Sequence, residues 1–140
     1  MKHPIHPLVV HFPIACWSLS TLGDLTGILL PNSPTQLIVL LMFIGCISAV
    51  IAMAAGLYEI GKIKDIGPIE YIVDRHMYAA VTAWGFYSLS LYLRWDNGFS
   101  TEPNIWAITT SVIGFVSLII AGWYGANLVY NHGVRVNKIG

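Results

Sequence analysis

Three of the chain's five histidines fall in nine residues, in the stretch "HPIHPLVVHFPIA" that opens the sequence at His3, His6 and His11. His76 and His132 are the other two. Imidazole is the commonest side-chain ligand of zinc, copper and iron, and the usual axial ligand of haem iron. Glu59, at the end of the second apolar segment, joins these histidines as a further candidate ligand. Two kinds of chemistry follow. Two imidazoles from different helices, His11 and His76, would hold the iron of haem b, with His6 and His132 as a second ligand pair or as hydrogen-bond partners. Three or four of His6, His11, His76 and His132, with Glu59, would instead hold a single Fe, Cu or Zn ion. No phosphate-binding glycine loop and no nucleophile elbow occurs, so nucleotide and serine-hydrolase chemistry have no signature. The charges balance to a formal net of +0, which gives no basic face for nucleic acid.

The elements that must position these groups are apolar. Of 140 residues, 56% are hydrophobic and 10% charged, far from the quarter charged that soluble domains carry. Charge is also confined. The window Leu8–Leu30 contains only Asp24, while Gln36–Tyr58, His76–Leu93 and Ile105–Leu128 contain none. About 20 helical residues cross a bilayer core. The pattern predicts an all-α, four-helix transmembrane bundle, up-down-up-down, forming a single domain with helices near 8–30, 36–58, 76–93 and 105–130. Four all-apolar helices in so short a chain have nothing to bury them but lipid. The first segment is long enough to span and lacks a small-residue cleavage site, so it reads as a helix and not as a removed signal.

Connections are short. Pro31-Asn32-Ser33-Pro34 is a turn, "RWDNGFSTEPN" joins the third and fourth helices, and Glu59–Arg75 is the one longer link, carrying Gly67-Pro68 and an interfacial "IEYIV". Asp74 suits the N-cap of the third helix and Gly133 the residue that ends the fourth. His3 and His6 each precede a proline, which favours extended backbone there. Beyond the alternation of direction no internal repeat is apparent. Cys16 and Cys46 lie inside apolar windows and read as small buried hydrophobes.

With four spans, both termini and the Glu59–Arg75 link share one side, which holds Lys2, Lys62, Lys64, Arg75, Arg135 and Lys138 against Arg94 alone on the other. The positive-inside rule puts that side, and both termini, in the cytoplasm. All five histidines and Glu59 then converge on one layer near the cytoplasmic face. Ionisable groups near a membrane interior are costly and tend to be functional. Asp24 lies near the opposite interface, where it either pairs with a polar group of the third or fourth helix or, the favoured reading, reaches the headgroups. Trp95 and Trp106 fit an aromatic belt on that side.

"HPLVVHFPIA" (His6–Ala15), the histidine at position 76 and "GWYGANLVYNHGVRV" (Gly122–Val136) resemble the DUF2231 family of small bacterial membrane proteins, over nearly the whole chain. The resemblance implies the four-span layout and highlights His6, His11, His76, Asn127, Tyr130 and Gly133, with His132 in the "YNHG" stretch. Such members stand alone or beside redox modules such as Rieske-type iron–sulfur domains, which implies a redox role, though the family supplies no settled catalytic set. The expected function is a haem b- or metal-binding membrane protein that transfers electrons near the cytoplasmic face. Its expected partners are the lipid bilayer, a quinone or redox protein, and a homo-oligomer or larger membrane complex. The alternatives are a non-haem metal-binding or ion-translocating subunit, and a structural or assembly subunit without cofactor.

Overall fold

The computed structural model describes residues 5–30, 34–63, 65–96, 98 and 104–134. Every regular element among them is helical: α1 (Ile5–Val9), α2 (His11–Leu29), α3 (Thr35–Ile60), α4 (Glu70–Asp96) and α5 (Ile105–Tyr130). The first two form one spanning rod, Ile5–Leu29, interrupted at Val10. The interruption has a local cause. Pro13 has no N–H to give the Val9 carbonyl four residues back, and its ring crowds that carbonyl. Pro7 sits in the first turn of α1, where a missing N–H costs nothing, so His6 is helical and not extended as the His-Pro dipeptide suggests.

The rod, α3 and α5 are each long and apolar enough to cross a membrane. α4 is as long but carries Asp74 and Arg75 near its start and Arg94 and Asp96 at its end. It begins at Glu70, so Asp74 lies in its second turn and is not its N-cap. The start is set earlier, where the Asp65 carboxylate accepts the Gly67 N–H at 3.0 Å and a 3-10 turn, Gly67–Ile69, leads into the helix. At α5 the Asn104 side chain accepts the N–H groups of Trp106 and Ala107, which caps the helix N-terminus. Its other end closes as expected on Gly133, whose φ is +60°, with the Val134 N–H reaching back to the Leu128 carbonyl at 3.0 Å. The turn at 31–33, most of the link at 97–103, His3, Lys64, Arg135 and Lys138 lie outside the described residues, as does Lys2.

α2 packs along α3, α4 packs along α5, and the two hairpins close a four-helix bundle through α3 against α4 and α2 against α5. α2 and α4 therefore face each other across the diagonal. The exterior is apolar along its length, with Leu19, Leu22, Leu40, Phe43, Ile51, Val81, Val116 and Ile119 all exposed. The interior is small and polar by comparison: Ser20, Thr21, Asp24, Ser90, Arg94, Ser111 and Ser117 are buried. In lipid, greasy contacts between helices gain little, so small residues that admit close approach and internal hydrogen bonds hold a bundle together. Gly45 and Gly114 serve this need. A Cβ on Gly45 would lie 2.5 Å from the Trp17 ring, and one on Gly114 2.9 Å from the Tyr87 ring. Those two rings stack on each other at the centre, with centroids 4.5 Å apart and planes 7° from parallel. The Tyr87 hydroxyl donates to the Trp17 carbonyl at 3.2 Å and accepts from Thr21 at 2.7 Å. Both cysteines are free thiols, Cys46 buried and Cys16 half-buried.

Asp24 does not reach the headgroups. It is 4% exposed, and Arg94 Nη2 donates to both its oxygens at 2.7 Å. Ser111 donates to the same carboxylate at 2.6 Å. A charge on one apolar helix is tolerated at this depth because a second helix brings its counter-ion and a third brings a hydroxyl.

Candidate functional site

His6 and His76 meet at one end of the bundle. Their ring centroids are 6.1 Å apart and their planes 86° from parallel. His6 comes from the short α1 and His76 from the second turn of α4, so one ring is supplied by each hairpin. Each is anchored in the same way. His6 Nδ1 lies 2.8 Å from the Ala52 carbonyl of α3, and His76 Nδ1 lies 2.9 Å from the Ala121 carbonyl of α5. A carbonyl only accepts, so each Nδ1 carries the proton and donates it. With Nδ1 committed to a carbonyl, Nε2 is the nitrogen of each ring left to bind, the usual arrangement for a histidine that ligates a metal.

The anchoring carbonyls are reachable because glycine stands one turn beyond each. A Cβ on Gly56 would sit 3.1 Å from His6 Nδ1, and one on Gly125 would sit 3.3 Å from His76 Cε1. Each imidazole thus lies in an alanine-to-glycine notch on its neighbouring helix. Between this level and the Trp17–Tyr87 stack, the buried residues other than Cys46 are Pro13, Ala49, Ala52, Ala83, Ser117 and Ala121.

Glu59 sits at the same end with a different task. Its Oε1 accepts the backbone N–H of Ile5 at 2.6 Å and of His6 at 3.1 Å. These are the orphan donors that open α1, so the carboxylate caps that helix and fixes the backbone from which His6 projects. His11 is exposed on α2. Five residues separate it from His6, which is about 140° around a helix of 3.6 residues per turn. The two therefore cannot share a face, and the residue brought against His76 is His6. His132 lies past the end of α5, exposed, with its Nδ1 3.2 Å from the Asn127 carbonyl. Gly125, which faces His76, lies five residues before the end of α5, roughly 8 Å by helical rise, and His132 follows that end. Among the described residues, no group of three or more His, Cys, Asp or Glu side chains is placed to hold a metal ion. Lys62 lies over the Tyr58 ring and Arg75 over the Tyr71 ring, so this end also carries aromatic-held cations.

A family model described as "Predicted membrane protein (DUF2231)" matches residues 2–138. The chain belongs to the DUF2231 family. The match spans both hairpins, so the resemblance noted at "HPLVVHFPIA" and "GWYGANLVYNHGVRV" extends through the residues that build the histidine end. Among curated proteins and among solved structures, nothing matches the chain.

Proposed function

We propose that this protein is a membrane electron-transfer protein that holds haem b iron between His6 and His76. The observation that carries the reading is the pair itself: two imidazoles, one from each hairpin, each with Nδ1 committed to a carbonyl and Nε2 left to bind. A metal–nitrogen bond is about 2 Å, and a ring nitrogen lies roughly 1 Å from its ring centre, so one metal between two imidazoles separates the centroids by about 6 Å. The rings stand 6.1 Å apart.

The donor set suits haem better than a bare ion. Haem iron asks the protein for two axial ligands, whereas structural and catalytic ions take three or four. Bound there, haem would supply a one-electron couple. The chain's own residues hold the two rings in their binding tautomer, and Glu59 fixes the α1 backbone. Arg75 and Lys62 lie at the same end, in range of the headgroup level where a quinone or redox protein docks. By this reading the site is on the cytoplasmic side of a bacterial inner membrane. An ion-translocating role would draw on Asp24, which is instead locked by Arg94 and Ser111.

A reduced-minus-oxidised visible spectrum of the protein in mild detergent, with metal analysis of the same sample, tests this. A sharp α-band is expected that His6→Ala and His76→Ala each abolish while His11→Ala and His132→Ala retain it. Absence of both band and iron would overturn the reading. Stoichiometric zinc or copper without a band would move it to a non-haem centre.

A further inference from the structure

We infer that the chain is a fused dimer: two copies of one helical hairpin joined in tandem and related by an approximate twofold axis running along the bundle. The register carries this. Three residue pairs meet across the bundle axis at three levels, with one residue of each pair from each hairpin: His6 with His76, Trp17 with Tyr87, and Asp24 with Arg94. In all three the partners are 70 residues apart. A residue that meets its own counterpart lies on a twofold axis, and a constant offset says that one axis serves all three levels.

The neighbouring helices repeat at nearly the same offset. α3 reads "GCISAVIAMAAG" from Gly45 and α5 reads "GFVSLIIAGWYG" from Gly114, the spacing Gly-x2-Ser-x3-Ala-x3-Gly in both. Each position does the same work in its hairpin. Gly45 and Gly114 admit the stacked rings, and Gly56 and Gly125 admit the imidazoles. Ala52 and Ala121 accept the histidine protons. Ser48 and Ser117 each donate to the carbonyl four residues back, at 2.8 and 3.0 Å. On the axial helices, "WSLS" at Trp17 matches "YSLS" at Tyr87. The packing obeys the same operator, since α2 against α5 exchanges with α4 against α3. Because the hairpins run in the same direction, the axis lies along the membrane normal, as in transporters built from parallel repeats.

Fusion explains what a homodimer cannot do. An axial position in a homodimer faces itself, so an aspartate there would oppose an aspartate. Once the halves are covalently joined, one can become Arg94 and the other remain Asp24. Ser111, whose counterpart by the same register is Met42, fixes which half keeps the acid. Trp17 and Tyr87 have also diverged. Of the three axial pairs, only the histidines are alike. Resting on the proposed haem reading, this makes the bound group one per chain, with two equivalent faces.

Exchange across the axis is the test. Asp24→Arg and Arg94→Asp singly oppose like charges and are expected to abolish a monodisperse, cooperatively melting protein in detergent. The double variant is expected to regain both, short of the Ser111 bond. The fold also makes the gap from Tyr130 to Ile5 the counterpart of the Ile60-to-Glu70 connection. A full-length circular permutant opened at Asp65, with the natural termini joined directly or through a short Gly/Ser insert, is expected to melt within about 5 °C of the parent. A double variant no better than either single, or two permutants that both aggregate, would overturn the duplication. Neither measurement involves metal. A parent without haem but with a folded permutant and a rescued exchange removes the haem reading and leaves the repeat standing.

Discussion

At the scale of single residues, the side chain most dependent on one partner is Asp24. Arg94→Ala would leave its carboxylate buried with only Ser111 for company, a change that costs about 3–5 kcal/mol when one member of a buried pair is removed. Asp24→Asn together with Arg94→Gln removes both charges and is expected to cost much less. Denaturant titration followed by near-UV circular dichroism separates the two outcomes, and equal losses would mean that the pair is not coupled. Sequence reading placed Asp24 at the correct end of its helix but sent it to the headgroups. Its partner lies 70 residues away on another helix, and nothing local announces a non-local ion pair. The histidines divide along the same line. Level follows from position along a helix, and a shared layer for the histidines was legible that way, though His11 rather than His6 was set against His76. Which of His6 and His11 faces inward depends on helical phase, and phase in turn depends on Pro7 being tolerated inside α1. The rule that residues before proline are extended pointed the other way there.

Helices make the next set of predictions. Gly45→Ala and Gly114→Ala drive a methyl into the Trp17 and Tyr87 rings, and overpacking of this kind costs about 1–3 kcal/mol. Gly85 and Gly122 have nothing within 4 Å of an added Cβ, so Gly85→Ala and Gly122→Ala are expected to be neutral or to stabilise by about 0.5–1 kcal/mol through helix propensity. Melting temperatures of the four variants in one detergent give the comparison, and a uniform response would refute the notch assignment. Glu59→Gln keeps an acceptor for the α1 N–H groups, whereas Glu59→Ala removes it. Amide exchange at Ile5 and His6 is expected to quicken markedly in the alanine variant and little in the glutamine one. Element existence was plain in the sequence because charge-free windows of bilayer length have few other readings. Boundaries were less so: the third helix starts at Glu70, since Asp65 and the Gly-Pro turn open it before Asp74. The tandem register escaped notice because five shared positions in a twelve-residue helical stretch look like an ordinary small-residue seam until contacts reveal what they hold.

For the whole molecule, orientation is the remaining question that charge can answer. The one basic residue assigned to the far side, Arg94, is buried against Asp24 and offers the membrane surface no free cation. Its link to α5 and the turn before α3 contain no other lysine or arginine. The near side keeps Lys62 and Arg75 over tyrosine rings, with Lys64, Arg135 and Lys138 in the sequence around them. Counting only cations free to act therefore strengthens the asymmetry, which supports the proposed placement of the termini in the cytoplasm. A green fluorescent protein fused after Gly140 is expected to glow, and alkaline phosphatase at the same point to be inactive. The same reporters inserted after Gly98 should give the opposite result. Reversal of that pattern would move the His6–His76 pair to the outer face, where a quinone or an external redox protein, rather than a cytoplasmic one, would have to meet it.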